Sequence, residues 1–392
     1  MKTILYVYTA SGIGGGSYAM LNIIKALDRK EYKPVVLLKT NGPLVEELRA
    51  LDIDVYFIGS LEIVPYNESL FNIHNIVSLV RMCKSFKPFT AILKKINPDI
   101  VYLNTMMLHP YLKVIKKNGF KSIIHIREHW PEGEHTLQRN LAIKNIRKYA
   151  DSIVAINTFS ASMVADESHR PTIVYDWVDM DKRYKPQPYD KLLGEEYSDK
   201  KVYLCTGGYE PIKGTLEIVE AFTSVIEDPD SRLLLLGSSP RIQRPGGIRK
   251  FLKNSKMEYA VKLNAAIAKD KRVIQIPSTY YVTDIYKQAY CMLSNFKIPH
   301  ANLALAENII LQTPVIAARN EEAIEYSLGG ELAILFEPNN IEDFKDKLRG
   351  FDKVQACLRE RLAAEAHKIE SMFKPENNIA TLNYVYRQTI NK

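Results

Sequence analysis

The sequence has few cysteines and no pattern by which they could hold a metal ion. Its 392 residues contain four, Cys83, Cys205, Cys291 and Cys357, which stand more than fifty residues apart with no CxxC or Cys/His spacing. Such spacing argues against thiolate metal sites and against a disulfide framework. The cysteine pattern therefore fits a reducing cytoplasm.

Long apolar runs are also missing. No run reaches the ~18 residues that a membrane-spanning helix requires, and the hydrophobic content of 46% is typical of soluble proteins. The N-terminal MKTILYVYTA leads directly into SGIGGGS rather than into a cleavage site, so we interpret it as a buried strand and not as a signal peptide. We expect a cytoplasmic protein.

Acidic residues are scarce in one part of a moderately basic chain. The formal net charge is +8, and the stretch 81–121 has nine basic residues against the single acid Asp99. A surface of this kind attracts anionic lipid headgroups or phosphates, and a merely solvated lysine-rich surface is the alternative. The stretch lacks the interleaved aromatic residues on which nucleic-acid bases stack. We therefore expect that 81–121 either contacts an anionic membrane or is simply a solvated surface. We expect no nucleic-acid partner.

Strand and helix patterns alternate along the whole chain. The first half has strand patterns at 4–9, 33–39, 54–58, 100–103, 122–126 and 152–156, and a long helical pattern at 73–96 that we expect to break at Pro88. The second half has strand patterns at 202–206, 232–236, 273–276, 291–294 and 315–318. Such alternation is typical of parallel sheets covered by helices on both faces. We predict an α/β protein with two Rossmann-like domains that face each other across a cleft.

The domain boundaries follow from a change in composition. Residues 179–200 are polar, contain prolines and show no sustained period, which is typical of a linker. We place an N-terminal domain at 1–178 and a C-terminal domain at 201–375.

In the first half, polar residues follow the predicted strands. Asn104 ends one strand, and His125, Arg127, Glu128 and His129 lie at the end of another. Ligands of open α/β sheets bind at the carboxyl ends of strands, so we expect these residues to contact an acceptor or a phosphate. Taken singly, each would more often be a structural or surface residue. A metal site at His125 and His129 would need a helix, whereas the pattern indicates a strand and a loop.

Three further features indicate an anion site. The glycine loop SGIGGGS lies between a strand and a helix, the order in which backbone N–H groups approach a phosphate, although it matches GxGxxG poorly. Lys213 precedes a predicted helix, so its ammonium and the helix N–H groups could face one anion. Glu307 is a lone carboxylate in the apolar helix of PHANLALAENIILQTPVIAA, and a buried carboxylate needs donors or a ligand. A tight turn, an exposed lysine and a solvated carboxylate are the respective alternatives.

Four segments in order resemble family 4 glycosyltransferases, which are retaining enzymes with the GT-B fold. SGIGGGSYAMLNIIKALD is similar to the family's first glycine loop and helix, and TIVYDWVDMDKRYKP resembles its hinge. TGGYEPIKGTLEIVEAF resembles the Gly-Arg-x3-Glu-Lys-Gly turn with Lys213 and Gly214 in place. LALAENIILQTPVIA resembles the Glu-Ala-x4-Thr-Pro-Val-Ile-Ala segment, with Glu307 at the second glutamate of Glu-x7-Glu. The resemblance also implies that the last helix, 376–392, completes the first domain.

The resemblance implies roles for individual residues. Arg127, Lys213 and Glu307 would be catalytic, with Glu307 on the ribose and Lys213 on the diphosphate. The donor-binding residues would be Gly15, Gly16, Gly207, Gly208, Lys213, His300, Asn302, Leu303 and Glu307, and the acceptor side would comprise Asn104, His125, Glu128 and His129. No metal or cofactor is implied, since the nucleotide-sugar, linked to UDP or GDP, is a substrate.

Three positions depart from the family pattern. The arginine that usually partners the lysine is Gly208, the first glutamate of Glu-x7-Glu is Pro299, and the basic or His residue after the first-domain strand is Arg127. His300 and Asn302 are the nearest replacements for the missing glutamate. The resemblance thus implies a hexosyl transfer to a lipid-linked or polysaccharide acceptor in cell-surface glycan synthesis. A non-catalytic subunit that binds nucleotide or glycan, and more distantly a GT-B sugar-nucleotide epimerase, are the alternatives.

Overall fold

The chain divides into two compact units. The structure, a computed structural model, describes residues 1–12, 14–65, 73–133, 135–177, 179–237, 255–299 and 301–392. The first unit contains Met1–Trp177 and Pro375–Lys392, and the second contains Val178–Lys374.

The first unit is built on a seven-stranded sheet in which every described pairing is parallel. The strands are β1 (Lys2–Val7), β2 (Tyr32–Leu38), β3 (Asp54–Phe57), β4 (Ile100–Leu103), β5 (Ser122–Ile126), β6 (Ser152–Ala155) and β7 (Thr172–Ile173). Their order is β3-β2-β1-β4-β5-β6-β7. The helices are α1 (Gly15–Ala26), α2 (Pro43–Ala50), α3 (Ile73–Ile96), α4 (His109–Lys117), α5 (Thr136–Tyr149), α6 (Thr158–Ser162) and, at the chain end, α15 (Pro375–Asn391).

Alternate residues of these strands pack on opposite faces of the sheet. On one face, Leu5 and Val7 of β1 share a core with α3, α4 and α5. On the other face, Ile4 and Tyr6 share a core with α1, α2 and α15. Because side chains alternate along a strand while both faces of a parallel sheet are covered, most residues of the central strands β1 and β4 are apolar.

The C-terminal helix α15 belongs to the first unit. The Tyr386 hydroxyl lies 2.9 Å from that of Tyr6, and Oδ1 of Asn378 accepts from the Tyr175 N–H at 2.8 Å. The expectation that the last helix completes the first domain is therefore confirmed.

The second unit repeats the architecture with a six-stranded parallel sheet. Its strands are β8 (Lys201–Cys205), β9 (Ser231–Leu236), β10 (Val273–Ile276), β11 (Cys291–Ser294), β12 (Val315–Ala318) and β13 (Ile334–Phe336), in the order β10-β9-β8-β11-β12-β13. Its helices are α7 (Tyr189–Leu193), α8 (Thr215–Val225), α9 (Ser255–Ala268), α10 (Thr283–Gln288), α11 (Leu303–Ile310), α12 (Glu321–Tyr326), α13 (Ile341–Arg349) and α14 (Phe351–Phe373). The prediction of two Rossmann-like domains is confirmed.

Two expectations about continuity need revision. Helix α3 continues through Pro88, because the buried residues Phe89 and Leu93 pack in the same core as Met82 and hold the two halves in line. Residues 179–200, expected to be a linker, lie within the second unit, where α7 buries Tyr189 and Leu193 against the sheet.

No helix in the described part of the chain is both long enough and apolar enough to span a membrane.

Candidate functional site

In the first unit, polar side chains gather at the carboxyl ends of β4 and β5. Arg127 directly follows β5 and is 9% exposed. Its Nη1 donates to both carboxylate oxygens of Asp176 at 2.6 Å, and its Nε donates to Oδ1 of Asn104 at 3.0 Å. A buried guanidinium requires such partners. Arg127 is thus held in one position, and the carboxylate of Asp176 balances its positive charge.

Glu128 closes the turn that follows β4. Its carboxylate accepts hydrogen bonds from the Thr105 hydroxyl and from the N–H groups of Met106 and Arg127 at 3.1 and 3.2 Å. Burial raises the pKa of Glu128, and these hydrogen bonds oppose that shift only in part. Because Glu128 already has three donors, its first role is to hold the loop in place.

The two histidines at the end of β5, His125 and His129, have different surroundings. His125 is fully buried, and the Tyr102 hydroxyl lies 2.6 Å from its Nδ1. Burial, and then the charge of Arg127, keeps the pKa of His125 well below its usual value. His129 instead stacks on Phe159, with ring centroids 3.5 Å apart. The structure thus brings Asn104, His125, Arg127 and Glu128 together and places His129 elsewhere.

The glycine loop lies beside this cluster. Nδ2 of Asn104 donates to the Gly16 carbonyl at 3.0 Å, and a Cβ on Gly16 would meet the Tyr8 hydroxyl at 2.6 Å. Gly14 is the N-cap of α1 and supplies no side chain to bond the first N–H groups, while the space beside Gly15 is open. An uncapped helix start of this kind is suited to bind an anion.

In the second unit, a glycine turn connects β8 to α8. Gly208 and Gly214 have positive φ angles of 60° and 62°. A Cβ on Gly214 would lie 2.4 Å from the carbonyl oxygen of Asn295, so only glycine fits this close approach between the loops after β8 and β11.

Lys213 lies in this turn, immediately before α8. Its ammonium is 5.8 Å from the centroid of the Phe296 ring, and no carboxylate of the described residues is paired with it. The nearby Lys297, by contrast, forms an ion pair with Glu217. The ammonium of Lys213 therefore remains able to meet an anion together with the N–H groups at the start of α8.

Helix α11 begins at the end of the loop after β11. Asn302 is its N-cap: Oδ1 accepts from the Leu305 N–H at 3.3 Å, and Nδ2 donates to Oγ of Ser294 at 2.8 Å. Both polar atoms of Asn302 thus serve to fix the helix start. Leu303 is the first helical residue. His300 lies outside the described residues.

Glu307 lies in the second turn of α11 and is 3% exposed. Its Oε1 forms an ion pair with Nη1 of Arg183. Burial, and then the charge of Glu307, raises the pKa of Tyr286 well above its usual value. The expected lone carboxylate is therefore buried, but it has a cation within the protein.

Arg183 and Asp176 were not predicted from the sequence. Arg183 also donates from Nε to the Tyr280 carbonyl at 3.4 Å, and its guanidinium lies 5.9 Å from the centroid of the Tyr280 ring. Both residues lie in the segment that resembles the family's hinge. The one available signal was that a buried carboxylate and a buried arginine each need a charged partner.

No metal centre is found in the described ranges, which contain no group of three His, Cys, Asp or Glu side chains able to hold a metal ion.

Comparison with solved structures identifies the fold of the chain. No protein-family model and no curated protein sequence matches the chain. Among solved structures, HepE from Anabaena in complex with UDP-glucose is 16% identical, with a TM-score of 0.74 over 100% of both chains. Sucrose-phosphate synthase from Thermosynechococcus elongatus is 13% identical, with a TM-score of 0.75 over 99% of both chains. A glycosyltransferase from Rickettsia africae is 17% identical, with a TM-score of 0.72 over 99% of this chain and 98% of its own. The chain has the GT-B fold.

Proposed function

We propose that the protein is a retaining glycosyltransferase of family 4 that takes a UDP- or GDP-linked sugar as its donor. The four motif segments and the GT-B fold support the proposal, and HepE, which has the same fold, was solved with UDP-glucose. We place the nucleotide in the second unit, between the turn that carries Lys213 and the helix that carries Glu307.

The buried carboxylate of Glu307 is the observation that carries the proposal. An ionised carboxylate has about four lone-pair sites. The ion pair with Arg183 uses one of them, and the others are available to the vicinal hydroxyls of a ribose. Arg183 meanwhile compensates the buried charge when no ligand is bound.

Charge on the leaving diphosphate would be met by Lys213 and by the N–H groups at the start of α8. Fixed donors and cations of this kind stabilise developing negative charge without proton transfer. The acceptor hydroxyl would be the nucleophile, so we assign no protein nucleophile. Arg127 contributes less net charge, because Asp176 is bonded to it.

On the acceptor side we propose a lipid-linked or polysaccharide acceptor in cell-surface glycan synthesis, with a hexose as the transferred sugar. Asn104 and the start of α1 at Gly15 and Gly16 are the groups of the first unit that we assign to sugar or phosphate contacts.

Calorimetric titration tests the donor site. UDP, GDP and UDP-glucose would be titrated into the wild type, Glu307→Gln and the control Glu321→Gln, whose carboxylate is exposed at the start of α12. Loss of a charged hydrogen bond costs about 1.5–3 kcal/mol, so Glu307→Gln should bind the preferred nucleotide roughly ten- to hundredfold more weakly. Wild-type affinity in Glu307→Gln would show that the carboxylate is only structural.

A non-catalytic nucleotide- or glycan-binding subunit is the second candidate. The specific observations in its favour are Gly208 and Pro299, which stand where the family has the arginine and the first glutamate. Nucleotide-sugar binding without hydrolysis or transfer would support this candidate, and turnover would exclude it.

A further inference from the structure

Three adjacent helices of the first unit contain basic residues and no acids. Helices α3, α4 and α5 cover one face of the seven-stranded sheet and share one core. Their sequences contain five, three and four Lys or Arg residues, respectively, and no Asp or Glu. We call the outer, solvent-facing side of these three helices the basic face.

The opposite face of the same sheet is electrically balanced. Helices α1, α2 and α15 cover it and contain three basic residues, Lys25, Arg49 and Arg387, against three acids, Glu46, Glu47 and Glu376. Four of the twelve cations on the basic face, Arg81, Lys116, Arg139 and Arg147, are paired with acids outside these helices. The other eight make this side of the sheet positive, whereas the opposite side is neutral. A general surplus of lysine would have spread over both sides.

Exposed aliphatic residues accompany the cations. In the first turns of α3, Ile76, Val77 and Val80 are exposed, and in the first turns of α5, Leu137 and Leu141 are 79% and 50% exposed. Helices that follow parallel strands begin at the carboxyl edge of the sheet. The five aliphatic residues therefore lie at the edge where Asn104 and Arg127 also lie, and most of the cations follow further along the helices.

One pocket on this face is suited to an anionic group. It is lined by α5 and the segment that precedes β7, through Asn140, Ile143, Lys144, Arg147, Lys148 and His169. Arg147 and His169 are both paired with the carboxylate of Asp166, so the two lysines are the cations that could meet an anion. Lys144 and Lys148 follow Leu141 on the exposed side of α5, and neither forms an ion pair with a described residue. At a bilayer surface the phosphates lie above the acyl chains. The two lysines could therefore contact phosphates while the neighbouring exposed leucine contacts the acyl chains.

We propose that the basic face docks on the surface of an anionic lipid bilayer, with the aliphatic residues of α3 and α5 entering the headgroup region. Cations supply the attraction to acidic lipids, and buried aliphatic side chains make the contact persist. A nucleic acid would leave the aliphatic residues without a role, since bases stack on aromatic rings. The docking itself does not depend on the donor site, and only its use to present a lipid-linked acceptor rests on the proposed function.

The first test is co-sedimentation of the full chain with vesicles. Vesicles of phosphatidylcholine alone would be compared with vesicles that also contain phosphatidylserine, at low and high salt. We expect binding only to the acidic vesicles and a decline as salt rises, because surface charges are screened. Equal binding to neutral vesicles, or binding to heparin but not to acidic vesicles, would overturn the proposal.

The second test separates the two contributions by substitution. Lys113→Gln, Lys117→Gln, Lys144→Gln and Lys148→Gln, combined in one variant, should weaken binding by about fivefold per lysine. Leu137→Gln with Leu141→Gln should weaken it at both salt concentrations. The matched control, Lys25→Gln with Arg49→Gln on the balanced face, should bind as wild type does. An equal loss per removed charge in the control would show that net charge alone acts, and would contradict the assignment to this face.

Nucleotide titration of the same variants distinguishes this proposal from the proposed function. Variants of the basic face should keep wild-type affinity for UDP or GDP, while Glu307→Gln should keep vesicle binding. Either proposal can then fail without the other.

Discussion

At the scale of single residues, each candidate site contains an ion pair in which one partner is buried and the other is partly buried. Arg127 pairs with Asp176 in the first unit, and Arg183 pairs with Glu307 in the second. Burying two charges costs much of what their attraction returns, so such pairs are weak evidence of stability. Removing one partner is costly, however, because the other charge is left buried and unpaired.

Replacement of Arg183 should reveal this asymmetry. Arg183→Met leaves the Glu307 carboxylate without its cation and should destabilise the second unit by at least about 2 kcal/mol. Urea denaturation would measure the loss. The control is Lys182→Met, because the Lys182 side chain is 77% exposed and pairs with Asp179 at the surface, where such pairs contribute less than about 1 kcal/mol. If Glu307→Gln restores no stability in the Arg183→Met background, the two side chains are not coupled.

The buried histidines of the first unit should make its stability depend on pH. Burial lowers the pKa of His109 to about 3, and it lowers the pKa of His125 well below its usual value. Both stay neutral when folded but take up a proton when unfolded below about pH 6.5. The stability is therefore complete above pH 6.5 and is lost as pH falls, by up to about 1.4 kcal/mol per pH unit for each histidine.

Denaturation of the wild type and of His109→Gln between pH 7.5 and 5.5 checks this prediction. The variant should show a smaller decline, since one of the proton-binding groups is gone. His125 remains, and so does His129, whose pKa burial lowers to about 4. Comparing the slopes removes the opposite contribution of Glu128, whose pKa burial raises. Parallel curves for the two proteins would mean that His109 takes no part.

The sequence predicts one member of each pair better than the other. Glu307 stands out locally because it interrupts an apolar helix, and Arg127 because it follows an apolar strand. Their partners lie in a polar segment without any period, and Arg183 is 124 residues away from Glu307. Spacing arguments reach across one helix or one strand, so they identify the charge that needs a partner and not the partner itself.

At the scale of elements, local pattern was sufficient for most of the sheet. Strands β4, β5, β10, β11 and β12 have the predicted bounds, because each is a short apolar run between polar turns. The prediction of a break at Pro88 was wrong, because packing of Phe89 and Leu93 outweighs the hydrogen bond that proline removes. The patterns left β13 and the long helix α14 unassigned.

Helix α15 offers a test of packing with an internal control. Tyr386 is fully buried against Tyr6 and Tyr32, whereas Tyr384 on the same helix is 61% exposed. Tyr386→Ala should destabilise the first unit by about 3–5 kcal/mol, the usual cost of deleting a buried aromatic side chain. Tyr384→Ala should change the stability by less than about 0.5 kcal/mol. Thermal or urea denaturation measures both, and equal losses would show that helix propensity rather than packing is responsible.

At the scale of the whole molecule, one helix packs in a different unit from its neighbours in the sequence. The alternation of strands and helices predicts two units, and the structure contains two, each with a parallel sheet. The first unit nevertheless takes its last helix from the far end of the chain, after the whole second unit. Composition alone could not indicate this, because α15 resembles any amphipathic helix. Only the resemblance to a family predicted it.

Binding of a nucleotide should slow hydrogen exchange in the second unit, where we place the donor site. At a nucleotide concentration of 100 times Kd, binding stabilises the bound state by about 2.7 kcal/mol, which slows exchange through the opening of that site about a hundredfold. Hydrogen exchange of the full chain should show this protection in the turn 206–214 and in the first turns of α11. Glu307→Gln at the same nucleotide concentration serves as the control and should lose most of the protection. Protection confined to the first unit would place the nucleotide there and would contradict the site built on Lys213 and Glu307.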